Sequence, residues 1–176
     1  MIKLSESELE IAIEEIEGMS EPELTRLCGD EKTDPIMLTK VAYTTTDYDE
    51  ALVKNRSTPN QALDIIARRY GEGEEDYIYF RAIAEHKNAG VELLDKLLIL
   101  TACKGVRIDI AMNPRAAIKT LYKLIEESRP MMDEDEWDES IVGYASENLK
   151  SRGFDPGEKP ISLFEDPIQL ELPLNL

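Results

Sequence analysis

The sequence predicts an all-α fold, a short α-solenoid of stacked helix pairs with an extended C-terminal tail. An eleven-residue sequence motif, which we call the phrase, recurs along the chain. Three copies begin at Val53, Ala84 and Ala111, and a looser copy begins at Cys28. These starts lie 25, 31 and 27 residues apart, which is the length range of helix-pair repeats. Aromatic residues make up only 6% of the chain, and β-branched residues do not cluster in alternating runs, which favours helices over strands.

Each copy of the phrase has the same plan. Its first residue is small and apolar and is the last residue of one predicted helix. A short polar turn follows. The phrase ends on a leucine that anchors the next predicted helix. The final leucines are Leu38, Leu63, Leu94 and Leu121. A helix pair of this size cannot bury its apolar face alone, so neighbouring pairs are expected to stack.

Helix-start signals divide the N-terminal part of the chain. Ser5 is expected to cap a helix that runs to Glu17, and Ser20 with Glu23 forms a second capping box. The predicted apolar side of the first helix includes Ile11, Ile13 and Ile16. Both helices expose mainly glutamate, which is typical of a terminal repeat with a solvated outer face. Residues 1–29 are therefore predicted to be an acidic N-terminal cap.

The repeats themselves are predicted over residues 28–125. Asp34-Pro35 is expected to open the third helix, and Thr58-Pro59 carries another capping signature. Residues 91–102 are apolar nearly all round, so this helix is predicted to be central. Residues 126–152 are predicted to form an acidic C-terminal cap, which completes a helical-repeat domain over 1–152.

The repeats resemble the leucine-rich repeat variant. The likeness is carried by Ala111-Met-Asn-Pro114 and by the Thr58-Pro59 turn followed by a helix with leucine at the eleventh place. It covers roughly residues 28–125 and implies a right-handed α-solenoid, similar in architecture to HEAT repeats, that acts as an interaction scaffold. The cysteine cluster that some members use for an iron–sulfur centre is absent, and the resemblance implies no catalytic residue.

The formal net charge is −17, but it is unevenly distributed. Residues 1–33 and 126–150 each carry −7, whereas residues 54–125 carry +3. The overall acidity disfavours strong nonspecific binding of nucleic acid, although the basic centre leaves weak DNA binding open.

Four basic residues fall at the fourth or fifth place of the phrase: Lys32, Arg56, Lys87 and Arg115. Equivalent positions of a solenoid line up along one edge, so these side chains are candidate phosphate contacts. The alternative is that they are simply exposed turn residues, because basic side chains suit helix C-termini. A different hypothesis gives the function to the carboxylates of 1–33 and 126–150, which would imitate DNA and inhibit a DNA-binding protein.

Nothing in the sequence indicates an enzyme, a metal or a cofactor. Cys28 and Cys103 match no metal-ligand spacing, and His86 is the only histidine. His86 lies in a repeat turn and is expected to be solvated. No apolar run approaches the roughly 20 residues that span a bilayer, and no signal peptide is recognisable, so a cytoplasmic location and no membrane partner are expected.

The tail, residues 153–176, contains the clearest functional pattern. Pro160, Pro167 and Pro173 are incompatible with a continuous helix. Gln169-Leu-Glu-Leu-Pro-Leu174 resembles the peptide motif that binds the bacterial β sliding clamp. The resemblance implies that Gln169 is a polar anchor and that Leu170, Leu172 and Leu174 enter apolar pockets of the clamp. The alternative is a tail that folds back over the last repeat.

These observations predict a non-enzymatic adaptor of bacterial or bacteriophage origin. It would dock on the sliding clamp through its tail, hold a second protein on the solenoid surface, and act in replication or its regulation. A nucleic-acid-binding repeat protein and an acidic DNA mimic are the alternatives.

Overall fold

A computed structural model describes residues 6–71, 73, 76–131 and 136–158, with the side chains of 6–10, 12 and 131 left out. Ten α-helices and no strand occur in these ranges, which confirms the all-α prediction. The helices are α1 Glu6–Glu17, α2 Glu21–Gly29, α3 Pro35–Thr44, α4 Asp49–Lys54, α5 Asn60–Ala67, α6 Tyr77–Glu85, α7 Val91–Leu100, α8 Lys104–Met112, α9 Ile118–Ser128 and α10 Glu136–Ser151. A 3-10 turn, Arg129–Met131, follows α9.

Local capping chemistry fixes several helix ends. The Glu23 carboxylate accepts hydrogen bonds from the Ser20 backbone N–H at 2.9 Å and the Ser20 hydroxyl at 2.7 Å. Asp34 accepts from the Ile36 N–H at 2.9 Å, so it caps α3 as predicted. The predicted cap at Thr58 is wrong. Its hydroxyl donates back to the Leu52 carbonyl of α4 at 2.6 Å, and α5 begins without a side-chain cap.

The C-terminal end of α10 is a Schellman motif. Gly153 has a φ of +82°, a left-handed conformation that favours glycine. Its N–H donates to the Lys150 carbonyl at 3.0 Å, and the Phe154 N–H donates to the Leu149 carbonyl at 3.0 Å. Phe154 then packs against the hydrophobic core, so the chain turns back onto the domain after α10.

Helices of alternate number pack against one another in two rows. The odd row contains α1, α3, α5 and α7, in which each helix contacts the next. The even row contains α2, α4, α6, α8 and α10, with α8 and α10 in particularly close contact. At the C-terminal end, α9 packs on α10 and α8. Consecutive helices from α3 to α10 also contact each other, so the core lies between the rows.

The recurring phrase supplies the core at both of its ends. The closing leucines, Leu38, Leu63, Leu94 and Leu121, all have no exposed surface. The opening residues Cys28, Ala84 and Ala111 are equally buried, and Val53 is nearly so. The polar middle of each phrase forms the turn that carries the chain from an even helix to the following odd helix.

Not every predicted apolar face is buried. Ile16 is in the core, but Ile11 and Ile13 are exposed because α1 is the outermost helix of its row. In α7, Leu93, Leu94, Leu97 and Leu98 occupy the spacing of one helix face and are buried. Ile99 lies about 100° round the helix from Leu98 and is 79% exposed. The predicted central position of α7 is therefore correct for one side of that helix only.

Candidate functional site on the turn edge

The turns after α2, α4, α6 and α8, together with the C-terminal end of α10, form one continuous edge of the molecule. We call the segments 30–34, 55–60, 86–90, 113–117 and 148–153 the turn edge. Each segment is joined to the preceding one by hydrogen bonds from polar side chains to backbone carbonyls. This arrangement brings the sequence-predicted basic residues of four successive turns into a single row.

Asn55 makes the first connection between turns. Its side-chain amide donates to the carbonyls of Cys28 at 2.8 Å and Asp30 at 3.1 Å. The Asn55 side-chain oxygen accepts from the Ser57 N–H at 2.9 Å. Asn55 is only 4% exposed, so these bonds satisfy groups that water cannot reach.

His86 makes the equivalent connection in the next turn. Its Nε2 lies 2.9 Å from the Asn55 carbonyl, and its Nδ1 accepts from the Asn88 N–H at 3.1 Å. The ring therefore acts like an asparagine, with Nε2–H as the donor and Nδ1 as the acceptor. Burial lowers the pKa of His86, and the neighbouring Lys87 lowers that pKa further. The prediction of a solvated His86 is wrong, since this side chain is only 7% exposed.

Asn113 repeats the pattern one turn later. Its amide donates to the carbonyls of Ala84 at 2.7 Å and His86 at 3.4 Å. Its oxygen accepts from the Arg115 N–H at 2.8 Å. Asn55, His86 and Asn113 all occupy the third place of the recurring phrase.

The last connection comes from the end of α10. Asn148 donates to the carbonyls of Ala111 at 2.9 Å and Asn113 at 2.8 Å. The Arg152 guanidinium donates to the Ala116 carbonyl at 2.6 Å. We call Asn55, His86, Asn113 and Asn148 the amide ladder, because His86 substitutes for an amide.

Further bonds hold the second and third turns together. The Asn88 amide donates to the carbonyls of Arg56 at 3.0 Å and Thr58 at 2.9 Å. The Gly90 N–H donates to the Asn60 side-chain oxygen at 2.6 Å. Because the polar groups of the turns are used inward, outward contacts from this edge depend mainly on the basic side chains.

All four predicted phosphate contacts, Lys32, Arg56, Lys87 and Arg115, are exposed on this edge. None of them forms an ion pair with a residue that the structure describes. Cations of the helices behave differently, as Lys40 pairs with Glu15, Lys96 with Asp64 and Arg107 with Glu127.

The first turn differs from the other four segments in charge. Lys32 has Asp30 and Glu31 directly before it, and the Asp30 carboxylate accepts from the Lys32 N–H at 2.9 Å. Segments 55–60, 86–90, 113–117 and 148–153 contain five basic residues and no acidic one. The chain as a whole has 37 acidic residues among 176, so four successive segments without an acidic residue are unusual for it.

The sequence interpretation missed the amide ladder and two basic residues, Lys150 and Arg152. Both are exposed at the last segment of the turn edge. The missed signal was the third place of the phrase, where Asn55, His86 and Asn113 each offer a donor and an acceptor.

The Cys28 thiol is not available as a nucleophile. Cys28 is fully buried, and this burial raises the pKa of its thiol to about 11, so the thiol is protonated at neutral pH. Within the described residues, no group of three or more His, Cys, Asp or Glu side chains is placed to hold a metal ion.

The clamp-like residues Gln169, Leu170, Leu172 and Leu174 lie outside the described residues. The described chain ends at Glu158, beside α9. There the Tyr122 hydroxyl lies 2.7 Å from the Asp155 carbonyl and 3.0 Å from the Glu158 carbonyl. The start of the predicted tail is thus attached to the helical domain.

Comparison with known proteins identifies no relative. No protein-family model matches the chain, and neither a curated protein nor a solved structure is significantly similar to it. Among the helices that the structure describes, none is long and apolar enough to cross a membrane. The resemblances to the leucine-rich repeat variant and to the clamp-binding peptide therefore stay predictions.

Proposed function

We propose that this protein is a non-enzymatic adaptor that docks on the bacterial sliding clamp through its C-terminal residues. The observation that carries the proposal is the sequence Gln169-Leu-Glu-Leu-Pro-Leu174. Its glutamine and alternating leucines match the clamp-binding peptide, in which Gln169 would be the polar anchor. Leu172 and Leu174 would be the main apolar contacts, and Leu170 a smaller one.

The energetics of such a peptide are adequate. Burial of a leucine side chain contributes roughly 1.5–3 kcal/mol, so two or three buried leucines offset part of the cost of ordering the peptide. A micromolar dissociation constant corresponds to about 8 kcal/mol, which is within reach of these contacts and the glutamine anchor together.

The helical domain would be a short right-handed α-solenoid that holds a second partner. Support comes from the two rows of alternate helices and from the amide ladder, which repeats one connection from turn to turn. A shallow groove of about 400 Å³ between α7 and α9 includes Leu98 and Ile99, and it is a candidate surface for that second protein.

A binding role also fits the use of the groups that could do chemistry. Both nitrogens of His86 are occupied by hydrogen bonds within the turn edge. The buried Asp49 carboxylate is paired with Arg69 at 2.6 Å and accepts from the Tyr70 hydroxyl at 3.1 Å. These groups connect parts of the domain.

The test is binding of the full chain to a purified bacterial sliding clamp by isothermal titration calorimetry. We expect micromolar binding that weakens at least about tenfold when Gln169 and Leu172 are both replaced by alanine. Leu163→Ala is the matched control, because Ser162-Leu-Phe164 is an incomplete version of the motif without the glutamine. We expect it to bind like the parent chain.

Two results would contradict the proposal. One is an absence of binding by the unmodified chain at protein concentrations of about 100 μM, well above the expected dissociation constant. The other is equal binding by the unmodified chain and by the Gln169→Ala, Leu172→Ala variant, which would place the contact elsewhere on the protein.

A further inference from the structure

The turn edge is a local basic region in an acidic chain. Its last four segments contain Arg56, Lys87, Arg115, Lys150 and Arg152, without an acidic residue, in a chain of net charge −17. All five are exposed. Such a local reversal of sign would focus an anionic ligand onto this edge and keep it from the acidic remainder of the surface.

The amide ladder holds together the backbone segments that carry this row of cations. Asn55, His86 and Asn113 each bond the preceding turn, and Asn148 bonds the turn before the last segment. Neighbouring turns are thereby held at the spacing of packed helices, roughly 8–10 Å. Four segments then cover roughly 25–30 Å, the length of about eight base pairs of duplex.

The outward chemistry of the edge suits a phosphate backbone. Three of the five cations are arginines, whose planar guanidinium binds phosphate oxygens in a bidentate manner. The side-chain amides that read base edges in other proteins point inward here, as Asn55, Asn88 and Asn113 donate to carbonyls. The edge therefore offers positioning contacts to phosphates without a means of reading sequence.

We propose that the turn edge formed by 55–60, 86–90, 113–117 and 148–153 binds the phosphate backbone of nucleic acid without sequence preference. The site is distinct from the C-terminal clamp-like motif and does not depend on it. The first turn is at most a peripheral part of the site, because Asp30 and Glu31 accompany Lys32.

The test is fluorescence anisotropy of the full chain with a single-stranded DNA oligonucleotide and a duplex of about 20 units, each long enough to cover the site. With four phosphate contacts, the logarithm of the binding constant should fall linearly with the logarithm of the salt concentration. The expected slope is roughly −3 for the single strand and roughly −3.5 for the duplex. Labelled polyglutamate is the probe for an acidic polypeptide as the alternative ligand.

The decisive variant combines Arg56→Gln, Lys87→Gln and Arg115→Gln. Its matched control combines Arg68→Gln, Lys119→Gln and Lys123→Gln, which removes the same charge from exposed positions off the turn edge. We expect the first variant to lose at least about tenfold in affinity for DNA and to reduce the salt slope by two to three, and the control to lose less than about threefold.

Three results would overturn the proposal: no binding of either DNA at about 50 mM salt, equal losses in the two variants, or binding of polyglutamate as tight as that of DNA. The second would show an effect of net charge alone, and the third would assign the edge to acidic protein segments. Circular dichroism establishes that both variants are folded, and their clamp binding is measured separately.

Discussion

Neighbouring helix pairs are joined differently at the two ends of the even helices. At the C-terminal ends, neutral side chains of the amide ladder donate to backbone carbonyls. Near the N-terminal ends, charged pairs make the long-range connections. Asp49, the first residue of α4, pairs with Arg69 at 2.6 Å, and Lys104 of α8 pairs with Asp138 of α10 at 2.5 Å.

This difference determines which cations remain available to a ligand. At the N-terminal ends, Arg69 and Lys104 are bound to buried carboxylates of the domain itself. At the turn edge, the ladder supplies most connections with neutral groups, and Arg56, Lys87 and Arg115 are left to face solvent. Arg152 is the exception, since its guanidinium donates to the Ala116 carbonyl. Within the described residues, neutral connections of this kind leave basic side chains of the edge unpaired in a domain of strongly acidic composition.

The largest predicted effect comes from Arg69→Ala. This change leaves Asp49, which has no exposed surface, without its cationic partner and with only the Tyr70 hydroxyl as a side-chain donor. It also removes donors to the Thr45 and Ala42 carbonyls. We expect a loss of about 3–5 kcal/mol in the free energy of unfolding, measured with urea. Arg68→Ala is the control, since Arg68 is 68% exposed, and its expected change is below about 0.5 kcal/mol. Similar losses for both variants would contradict the structural role of the buried pair.

A smaller loss is predicted for the amide ladder. Asn113→Ala leaves the Ala84 carbonyl and the Arg115 N–H without a partner and removes one of the two donors to the His86 carbonyl, so we expect about 2–3 kcal/mol of destabilisation. Asn113→Asp keeps an acceptor but loses the donor, and is expected to be destabilising too. Asp30→Asn is the control, because Asp30 uses only its acceptor, toward the Lys32 N–H, and should change stability by less than about 0.5 kcal/mol. An Asn113→Ala protein as stable as the parent would show that the ladder contributes no net stability.

The third prediction concerns pH. Burial holds the pKa of His86 below its usual range, so the unfolded chain binds the proton more readily than the folded chain. The contribution of neutral His86 to the free energy of unfolding is complete at pH values above about 6.5, the pKa of histidine in the unfolded chain. At lower pH this contribution declines, by at most about 1.4 kcal/mol per pH unit. His86→Asn should remove this decline while keeping the ladder. Urea unfolding at several pH values between about 7.5 and 5 compares the two proteins, and parallel pH profiles would exclude His86 as the titrating group.

The smallest predicted effect is on stability when the edge cations are removed. Arg56, Lys87 and Arg115 are exposed and make no ion pair within the described chain, so replacing all three with glutamine should shift the free energy of unfolding by less than about 1 kcal/mol in total. Thermal unfolding measures this shift. A larger destabilisation would mean that these side chains support the fold and are not reserved for a ligand.

Much of the helical architecture could be predicted from the sequence because its signals are local. Leu38, Leu63, Leu94 and Leu121 recur at a fixed place, and all are buried. Ser20 and Asp34 carry capping chemistry that needs only neighbouring residues. The exposure of Ile99 could not be predicted. When a helix is apolar on all sides, its sequence does not show which side is covered by neighbouring helices.

The candidate site was predicted in part. The basic residues of the turns could be aligned by the repeat, but the ladder that holds them depends on contacts between residues 25 or more positions apart. A polar residue in a turn ordinarily indicates exposure, so the sequence predicts a solvated His86. Its neighbour in space is a backbone carbonyl, and carbonyl positions are not encoded by residue type.

The central claim is that one chain carries two independent binding surfaces, the C-terminal motif for the clamp and the turn edge for nucleic acid. The most direct measurement captures the protein on an immobilised bacterial sliding clamp and then adds a single-stranded oligonucleotide. We predict a ternary complex. Replacing Arg56, Lys87 and Arg115 with glutamine should weaken only the oligonucleotide step, by at least about tenfold. Replacing Gln169 and Leu172 with alanine should weaken only capture, again by at least about tenfold, with DNA binding in solution retained. Loss of both activities from either change, or displacement of the clamp by the oligonucleotide, would contradict the claim.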